Sequence, residues 1–326
     1  MKKIRLKDIA ELASVSATTA SLVLNDKKTR ISKEKKEEIK KIASELNYQP
    51  NIIARSLAQK KTFTIGLIIP DINNPFFSSL SKYIEETLYK EEYLLLIANS
   101  NNSTEHEKLL IQSYINHQVD GILLCPSNEM INNHNYEKYL ENLPVPIIII
   151  DRIIENSNVT QISYDNKMGG YLATKYLIEN NCKNIVCVTG TFTSQSSKDR
   201  LIGYKKALKE SNINNQYIFK GDFTFESGLN LAPDIIKTSP EGIFFFNDMM
   251  AYGFFYYLKK HNIPENKFLI CGYDNLQLSE MFHLTSIEQN TEILSTKCCK
   301  SILDIINNQK VKKREILKPK LIVANK

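Results

Sequence analysis

Apolar residues recur with helical spacing in residues 6–25, LKDIAELASVSATTASLVLN. The spacing i, i+3, i+4 and i+7 predicts one face of a short helix, formed by Leu6, Ile9, Ala10 and Ala13. Residues 14–16 interrupt this period, and the hydroxyl of Ser16 can cap a second helix. The inward face of that second helix is predicted to be Ala20, Val23 and Leu24.

The opposite face of the second helix consists of small or uncharged residues, namely Ala17, Thr18, Ser21, Leu22 and Asn25. Such residues suit contact with base edges better than solvation of charge. Two short helices joined by a tight turn predict a helix-turn-helix, whose second helix enters the DNA major groove. An ordinary helical hairpin is the alternative. Residues 32–46 predict a third helix that closes a small core through Ile39, Ile42, Ala43 and Leu46.

Charge is distributed unevenly along the chain. Residues 1–61 contain 15 basic and 7 acidic side chains, whereas the rest of the chain contains 27 basic and 29 acidic ones. The whole excess of +6 therefore lies at one end. A basic head on a near-neutral body indicates neutralisation of phosphates and favours DNA binding over the hairpin alternative.

From residue 64 onward, apolar runs of strand length alternate with helical stretches, which is typical of parallel βαβ units. The first set of runs is 64–70, 93–98, 121–125 and 146–150, and the second set is 184–189, 216–220, 242–246 and 268–271. Two similar sets predict two lobes. No GxGxxG or GxxxxGK[ST] motif follows a strand, so the sequence supports neither a dinucleotide enzyme nor a nucleotide hydrolase.

Ligands of open parallel sheets bind beyond the carboxyl ends of the strands, where this sequence places polar and aromatic residues. They are Asn74, Phe76 and Phe77 after the first run, Asp151 and Arg152 after the fourth, and Phe223, Asn247 and Asp274 after later ones. Carboxylates accept hydrogen bonds from neighbouring hydroxyls, arginine and asparagine donate, and aromatic rings cover C–H faces. The set predicts a site for a small polyol. An ion pair at a strand end for Asp151 and Arg152, and core packing for Phe76 and Phe77, are the alternatives.

Short motifs in this order resemble the LacI/GalR family of bacterial transcription factors. In the head they are Leu6-Lys7-Asp8-Ile9-Ala10, Val15-Ser16, Thr19-Ala20-Ser21, Val23-Leu24-Asn25, Asn47-Tyr48-Gln49-Pro50-Asn51 and Ala54-Arg55-Ser56-Leu57. In the body they include Asn74-Pro75-Phe76-Phe77, Ile150-Asp151-Arg152, Asp165-Asn166, Gly203-Tyr204, Asn247-Asp248, Gly272-Tyr273-Asp274 and Gln289. The resemblance covers almost the whole chain.

The resemblance implies an α/β chain with an N-terminal all-α helix-turn-helix head and a hinge, followed by a bilobed periplasmic-binding-protein-like body with two parallel-sheet α/β subdomains. The expected segments are 1–50 for the head, 51–61 for the hinge helix and linker, and 62–326 for the body. The first lobe is expected at 62–160 and 290–318, and the second at 161–289 and 319–326. Apolar helix faces in 74–90 and 291–307 serve either dimerisation, as in the family, or the core of the lobe.

The resemblance also implies a homodimer that binds double-stranded operator DNA. Our hypothesis is that Ala17, Thr18 and Leu22 read bases, whereas Thr19, Ser21, Asn25 and Tyr48 fix the register through phosphates. Family members commonly have arginine at position 22, and Leu22 offers a thymine methyl contact instead of a bidentate bond to guanine. Compared with family members, Arg5 replaces a helix-capping Ser or Thr, and Ser14 replaces a turn glycine. Each replacement is expected to cost about 1 kcal/mol of stability.

The hinge is expected to contribute further DNA contacts. Residues 51–57 form a segment too short to be a stable helix alone. By resemblance it orders beside its dimer mate in the minor groove, with Leu57 as a wedge between base pairs and Asn51 and Ala58 also at the DNA. The alternative is a linker whose Leu57 packs on the body.

The body motifs also resemble the pocket of ribose-binding receptors and ribose repressors. The expected contacts are Asn74, Phe76, Phe77, Asp151, Arg152, Arg200, Phe223, Asn247, Asp274 and Gln289. Of these, Arg200 stands in a helical stretch where a solvated face is the alternative. The interpretation is a repressor of a sugar-utilisation operon switched by ribose or a related pentose. The alternatives are a catabolite-control regulator that responds to a phosphorylated carrier protein or a sugar phosphate, and a sugar-binding transport receptor, which has no use for residues 1–61.

The cysteines, the histidines and the lengths of the apolar runs limit which classes of protein the sequence supports. The six cysteines form no CxxC pair, which indicates reduced, buried thiols. The five histidines stand apart with no motif around them, so we expect no enzyme, no cofactor and no metal site. No leader and no membrane-length apolar run is present, so we expect a cytoplasmic protein without membrane contact.

Overall fold

The computed structural model describes residues 4–24, 28–46, 48, 61–128, 134–155, 157–191, 193–214 and 217–324. The chain divides into two compact units, Met1–Thr62 and Phe63–Lys326. The first unit contains the predicted head together with the predicted hinge and linker, and the second agrees within one residue with the predicted body.

The described part of the first unit is helical. Its helices are α1 (Leu6–Leu12), α2 (Ala17–Leu24) and α3 (Lys33–Glu45). Their buried side chains form one small core, made of Ile9, Ala10, Ala13, Ala20, Val23, Ile39 and Ala43. These are positions that the helical spacing predicts to face inward, so a stripe of mostly small apolar residues is sufficient to join the three helices.

The turn between α1 and α2 has the backbone geometry expected from its sequence. Ser14 has a left-handed backbone with φ of 52°, at the position where a glycine would be unstrained. The Oγ of Ser16 accepts a hydrogen bond from Thr19 N at 3.1 Å and so caps α2. Arg5 precedes α1 without a capping side chain, and Arg5 N instead donates to Asp8 Oδ2 at 2.7 Å.

The second unit contains two six-stranded sheets. The strands are β1 (Thr64–Ile69), β2 (Leu94–Asn99), β3 (Gly121–Leu124), β4 (Ile147–Ile150), β5 (Thr160–Tyr164), β6 (Ile185–Thr189), β7 (Tyr217–Lys220), β8 (Gly242–Phe245), β9 (Leu269–Asp274), β10 (Thr285–Glu288), β11 (Arg314–Leu317) and β12 (Lys320–Ile322). The first sheet has the order β11-β5-β4-β3-β1-β2, and the second has the order β12-β10-β9-β8-β6-β7. Among the described strands, only β12, which pairs antiparallel with β10, departs from parallel pairing.

Helices connect the strands. They are α4 (Pro75–Lys90), α5 (Thr104–Asn116), α6 (His134–Glu141), α7 (Asn166–Glu179), α8 (Gln195–Glu210), α9 (Phe225–Lys237), α10 (Asp248–Lys260), α11 (Leu278–Met281) and α12 (Thr291–Ile306), with a short 3-10 helix at Glu265–Lys267. The central strands are continuous apolar runs because both faces of each sheet are covered by these helices. In β4, for example, all four isoleucines are buried. The eight predicted strands are confirmed, each within three residues of its expected bounds.

The structure corrects the predicted boundary between the lobes. Residues 160–164 form β5, which pairs in parallel with β4 and β11 of the first sheet. The expected boundary at 160/161 falls inside this strand, so the first crossover follows Tyr164. Sequence alternation did not reveal β5 because its polar Gln161 is buried, where its amide bonds the backbone of Ile154. Strands β10, β11 and β12, each of three or four residues, were also not predicted.

The apolar faces of α4 and α12 pack against each other within the first lobe. Ser79 Oγ lies 2.9 Å from Thr291 Oγ1, and Ser295 Oγ donates to the Leu80 carbonyl at 3.2 Å. Leu80, Ile84, Leu88, Leu294, Cys298, Cys299 and Ile302 are buried there. Of the two expectations for these faces, the structure supports the core of the lobe.

Two further expectations concern composition. All six cysteines are buried and none forms a disulfide, as predicted. Within the described ranges, every helix is too short or too polar to cross a bilayer.

Candidate functional site

The exposed face of α2 carries the side chains predicted to read bases. Ala17, Thr18 and Leu22 are exposed, whereas Thr19 and Ser21 are half-buried. The exposed fraction of Leu22 is 37%, which leaves its branched end open to a partner surface. These three side chains are uncharged, so they offer a hydroxyl and methyl groups, but no cation, to a partner.

Two of the side chains predicted to contact phosphates, Thr19 and Tyr48, have contacts within the head. Thr19 Oγ1 lies 2.8 Å from Ser16 Oγ, so this hydroxyl also belongs to the capped start of α2. Tyr48 packs against the core of the head, and burial raises the pKa of its phenol. The predicted contacts Asn25, Asn51, Leu57 and Ala58, with most of the hinge, lie outside the described residues.

The ten body residues predicted to hold the effector line one narrow cavity of about 40 Å³. The lining consists of Asn74, Phe76, Phe77, Asp151, Arg152, Arg200, Phe223, Asn247, Asp274 and Gln289, together with Ser196. Eight of the ten are buried, the exceptions being the half-buried Asn74 and Phe223. This space is well below the range for small-molecule pockets, so the walls contributed by the two lobes must move apart to admit a ligand of monosaccharide size.

The first lobe contributes residues from the ends of β1 and β4. Asn74 caps α4, because its Oδ1 accepts a hydrogen bond from Phe76 N at 3.0 Å. The rings of Phe76 and Phe77 meet edge to face, with centroids 5.2 Å apart. Both rings also pack in the core of the first lobe. Each ring therefore packs in the core, as one interpretation expected, and also lines the cavity.

Arg152 and Asp151 have separate partners. Arg152 Nη1 donates to Asn102 Oδ1 at 2.8 Å and to the Pro126 carbonyl at 2.9 Å. Asp151 accepts a long hydrogen bond of 3.8 Å from Cys125 Sγ. Burial raises the pKa of the Asp151 carboxyl, although the charges of Arg152 and Arg200 oppose that shift. A simple ion pair at the strand end therefore does not describe this pair.

The second lobe contributes Arg200 from α8. Its Nε donates to Asn166 Oδ1 at 2.8 Å and its Nη1 donates to the Phe246 carbonyl. The guanidinium carbon lies 3.5 Å from the centroid of the Tyr273 ring, which is a stacked cation–π contact. Arg200 is 4% exposed, so the solvated-face alternative is wrong.

Asp274 and Gln289 meet at the opposite wall of the cavity. Gln289 Nε2 donates to Asp274 Oδ1 at 3.0 Å, and Gln289 Oε1 is buried without a partner in the described structure. Burial raises the pKa of Asp274 to about 8, against the lowering effect of the Arg200 charge. An unpartnered amide oxygen beside a desolvated carboxyl is a pair of acceptors suited to ligand hydroxyls.

Asn247 has a structural role in addition to its place in the cavity. Its Oδ1 accepts from Met250 N at 3.1 Å and so caps α10, while its Nδ2 donates to the Phe223 carbonyl at 2.8 Å. The backbone at Phe223 is left-handed, with φ of 73°, as it is at Asp151 (64°) and Asp274 (103°). Three lining residues are thus held in costly backbone conformations, which is typical of functional sites.

Sequence reasoning missed several residues at the cavity. Ser196 lines it, with its Oγ 2.7 Å from Ser194 Oγ, and nothing in its serine-rich surroundings indicated this position. Two residues outside the cavity lining accept hydrogen bonds from its arginines. Asn102 accepts from Arg152, and Asn166 accepts from Arg200. The motif Asp165-Asn166 was visible in the sequence, but no role followed from it.

Comparison with known sequences gives two matched segments. Residues 5–51 match the bacterial regulatory proteins of the lacI family, and residues 62–325 match the periplasmic binding proteins and sugar binding domain of the LacI family. The chain is 32% identical to the HTH-type transcriptional repressor PurR of Vibrio campbellii, over 98% of this chain and 97% of the relative. It is 35% identical to PurR of Vibrio vulnificus, with the same coverage.

Solved structures give the same fold. The lac repressor dimer bound to operator and the anti-inducer ONPF is similar with a TM-score of 0.90 at 22% identity, over 99% of this chain and 98% of that chain. A LacI family transcriptional regulator from Enterococcus faecium with bound ribose has a TM-score of 0.72 at 26% identity, over 80% of this chain and 97% of that chain. The first likeness concerns the fold alone.

Proposed function

The chain belongs to the LacI family of DNA-binding transcriptional regulators, and from this premise we propose that it is a homodimeric repressor of a sugar-utilisation operon, switched by ribose or a related pentose. The head binds operator DNA, and the sugar occupies the cavity between the two lobes. The relatives named as repressors, and the dimer in the lac repressor structure, support the first part. The transport-receptor alternative would leave the lacI-type head without a role.

The composition of the cavity is the single observation that carries the choice of effector. Two carboxyl groups, Asp151 and Asp274, can each accept hydrogen bonds from adjacent hydroxyls, while the guanidinium groups of Arg152 and Arg200 donate to ring and hydroxyl oxygens. Phenylalanine rings cover the C–H faces of a sugar ring. The ribose bound to the Enterococcus faecium relative is consistent with this choice.

A sugar phosphate suits the cavity less well. Arg152 and Arg200 are already hydrogen-bonded to Asn102, Asn166 and two backbone carbonyls. Their donors are therefore partly used within the protein and are less available to neutralise a phosphate dianion. This arrangement favours a neutral polyol over the catabolite-control alternative with a sugar phosphate.

Isothermal titration of the full-length protein against a sugar panel tests the effector. The panel contains ribose, other pentoses, glucose and ribose 5-phosphate, and Arg200→Ala serves as the cavity-damaged control. We expect heat with ribose or a close pentose, and measurably weaker binding by the variant. Heat with the phosphate ester and none with any free pentose would refute the proposed effector.

Gel shifts on the promoter of the protein's own gene, with and without the sugar, test the regulatory half of the proposal. A sugar-dependent change in operator affinity is expected. Binding of all duplexes with equal affinity would contradict sequence-specific regulation, whatever the sugar result.

A further inference from the structure

Asn166 is a buried amide whose side-chain oxygen and nitrogen both have hydrogen-bond partners. It is 6% exposed and stands at the first position of α7, directly after the first crossover between the lobes. Its Oδ1 accepts from Arg200 Nε at 2.8 Å and from the Tyr273 hydroxyl at 3.2 Å. These two donors are also in contact with each other, because the guanidinium of Arg200 stacks on the ring of Tyr273. Asn166 therefore holds Nε of the stacked guanidinium, while the Phe246 carbonyl holds Nη1.

The other end of the same amide reaches the first lobe. Asn166 Nδ2 donates to the carbonyl of Tyr164, the last residue of β5, at 3.4 Å. The hydroxyl of Tyr164 in turn donates to the carbonyl of Asn290 at 3.0 Å, in the second crossover between β10 and α12. A chain of hydrogen bonds thus runs from Arg200 through Asn166 to two of the crossover segments.

We propose that Asn166 is a positioning residue for the effector: it holds the Arg200 guanidinium towards the cavity and connects it to the crossover segments. This inference rests on the proposed function of the cavity. Arg200 Nη1 also donates to the Phe246 carbonyl, so the Nε bond to Asn166 is the second in-plane hydrogen bond that fixes the direction of the guanidinium. Asn166 does not itself line the cavity, so it acts on a sugar only through Arg200.

The alternative is that Asn166 merely stabilises the start of α7. The two roles differ in one measurable respect. A purely structural residue weakens sugar binding to the same extent whether or not Arg200 is present, whereas a residue that acts through Arg200 has no further effect once Arg200 is removed.

The test is a double-mutant cycle in the full-length protein, with Asn166→Ala, Arg200→Ala and the double variant. Ribose affinity is measured by isothermal titration, and the free energy of unfolding by urea. Asn166→Asp keeps an acceptor for Arg200 Nε but loses the donor to the Tyr164 carbonyl. The matched control is Asn184→Ala, since Asn184 is an amide of the same lobe that donates to the Thr238 and Ser239 carbonyls and lies outside the cavity lining.

We expect Asn166→Ala to weaken ribose binding about tenfold or more, as the loss of one charge-assisted hydrogen bond would. Asn166→Asp should stay within a few-fold of wild type, and Asn184→Ala within about twofold. In the Arg200→Ala background, the Asn166 change should add nothing. Unchanged ribose affinity in Asn166→Ala, or an equal loss in both backgrounds, would overturn the proposal.

Failure of the proposed effector gives a different result. If the wild type shows no heat with ribose, the sugar assignment falls, and the unfolding measurements then decide the role of Asn166. Non-additive losses of stability in the Asn166 and Arg200 variants support the anchoring of the guanidinium by Asn166, and additive losses reject it.

Discussion

Asp274 shows how a single residue can be placed for binding at the expense of stability. Its carboxyl is buried beside Gln289, and burial raises its pKa to about 8, whereas an unfolded aspartate titrates near 3.9, about four units lower. Between those values the folded state holds more protons than the unfolded state. The free energy of unfolding therefore falls as pH rises, by up to about 1.4 kcal/mol per pH unit.

Asp274→Asn removes this titration and should change stability in a pH-dependent manner. Near pH 4 the variant and wild type should be similar, because the native carboxyl is then protonated and resembles an amide. At pH 8 the variant should be the more stable, yet bind ribose at least about tenfold more weakly for lack of a charged acceptor. Urea unfolding from pH 4 to 8 measures this. Asp234→Asn, at an exposed side chain of the same lobe, should leave the pH profile unchanged.

Two exposed residues of the head are predicted to choose the operator sequence. Thr18 and Leu22 present a hydroxyl and methyl groups on the open face of α2. Selection of binding sites from random duplexes should give a different preferred half-site for Thr18→Ala and for Leu22→Arg, the latter with more guanine. Leu12→Ala, at an exposed leucine of α1, is the control and should keep the wild-type site. An unchanged site in both α2 variants would remove these residues from base reading.

At the scale of elements, α7 and α8 approach each other through glycines. A Cβ on Gly170 would lie 2.1 Å from the Arg200 carbonyl oxygen, and one on Gly203 would lie 2.1 Å from that of Lys167. Because these neighbours are backbone atoms, an added methyl must push the helices apart and displace Arg200. The close contact of two helices therefore sets the position of a cavity side chain.

Gly170→Ala should consequently lower both stability and sugar affinity. We expect a loss of about 1 to 3 kcal/mol in the free energy of unfolding, as for overpacked cores, and weaker binding of ribose. Gly242→Ala is the control, since the nearest atoms to its Cβ would be side-chain atoms, those of Cys182 at 3.1 Å and 3.2 Å and that of Leu177 at 3.3 Å. Gly242→Ala should reduce the free energy of unfolding less than Gly170→Ala does, and it should leave ribose affinity unchanged. Wild-type ribose affinity in Gly170→Ala would contradict the link between helix spacing and Arg200.

The turn of the head allows a pair of changes with opposite effects. Ser14→Gly should relieve the left-handed strain at φ of 52° and stabilise the head by about 1 kcal/mol. Ser16→Ala removes the cap on Thr19 N and should destabilise it by about the same amount. Amide hydrogen exchange of residues 6–24 in the intact protein should slow in the first variant and quicken in the second. Equal exchange in the two variants would refute this account of the turn.

Periodicity was sufficient for the central elements because they bury continuous apolar faces. Strands β1, β3 and β4, and the core of the head, follow directly from runs such as Ile147–Ile150. Periodicity did not reveal the strands at the crossovers. In β5, for example, the polar side chain of Gln161 is buried, and its partner, the Ile154 backbone, cannot be identified from the sequence.

The cavity shows the same limit. Its ten expected residues lie together, but Arg200 and Gln289 were expected there only through family resemblance. Residues that work by holding others, such as Asn102 and Asn166, carry no pattern of their own because their role depends on a partner brought close by folding.

For the whole molecule, the crossover segments are the only covalent links between the lobes, so a change in lobe angle must pass through them. Tyr164 joins two of these segments through its hydroxyl and the Asn290 carbonyl, and it does not line the cavity. If sugar binding alters operator affinity through lobe movement, a bond between crossovers makes the two segments move together. Allosteric couplings in proteins are typically about 1 to 3 kcal/mol, or roughly five- to 150-fold in affinity.

Tyr164→Phe should therefore retain ribose affinity but show a smaller change in operator affinity on addition of saturating sugar. Tyr114→Phe is the matched control, because its buried hydroxyl donates to the Leu67 and Leu96 carbonyls inside the first lobe, away from the crossovers. Fluorescence anisotropy on labelled operator gives the ratio of affinities with and without sugar. Since coupling is reciprocal, ribose titrations with and without operator must give the same ratio. If Tyr164→Phe keeps the wild-type ratio by both routes, the two crossovers do not depend on this hydrogen bond to act together.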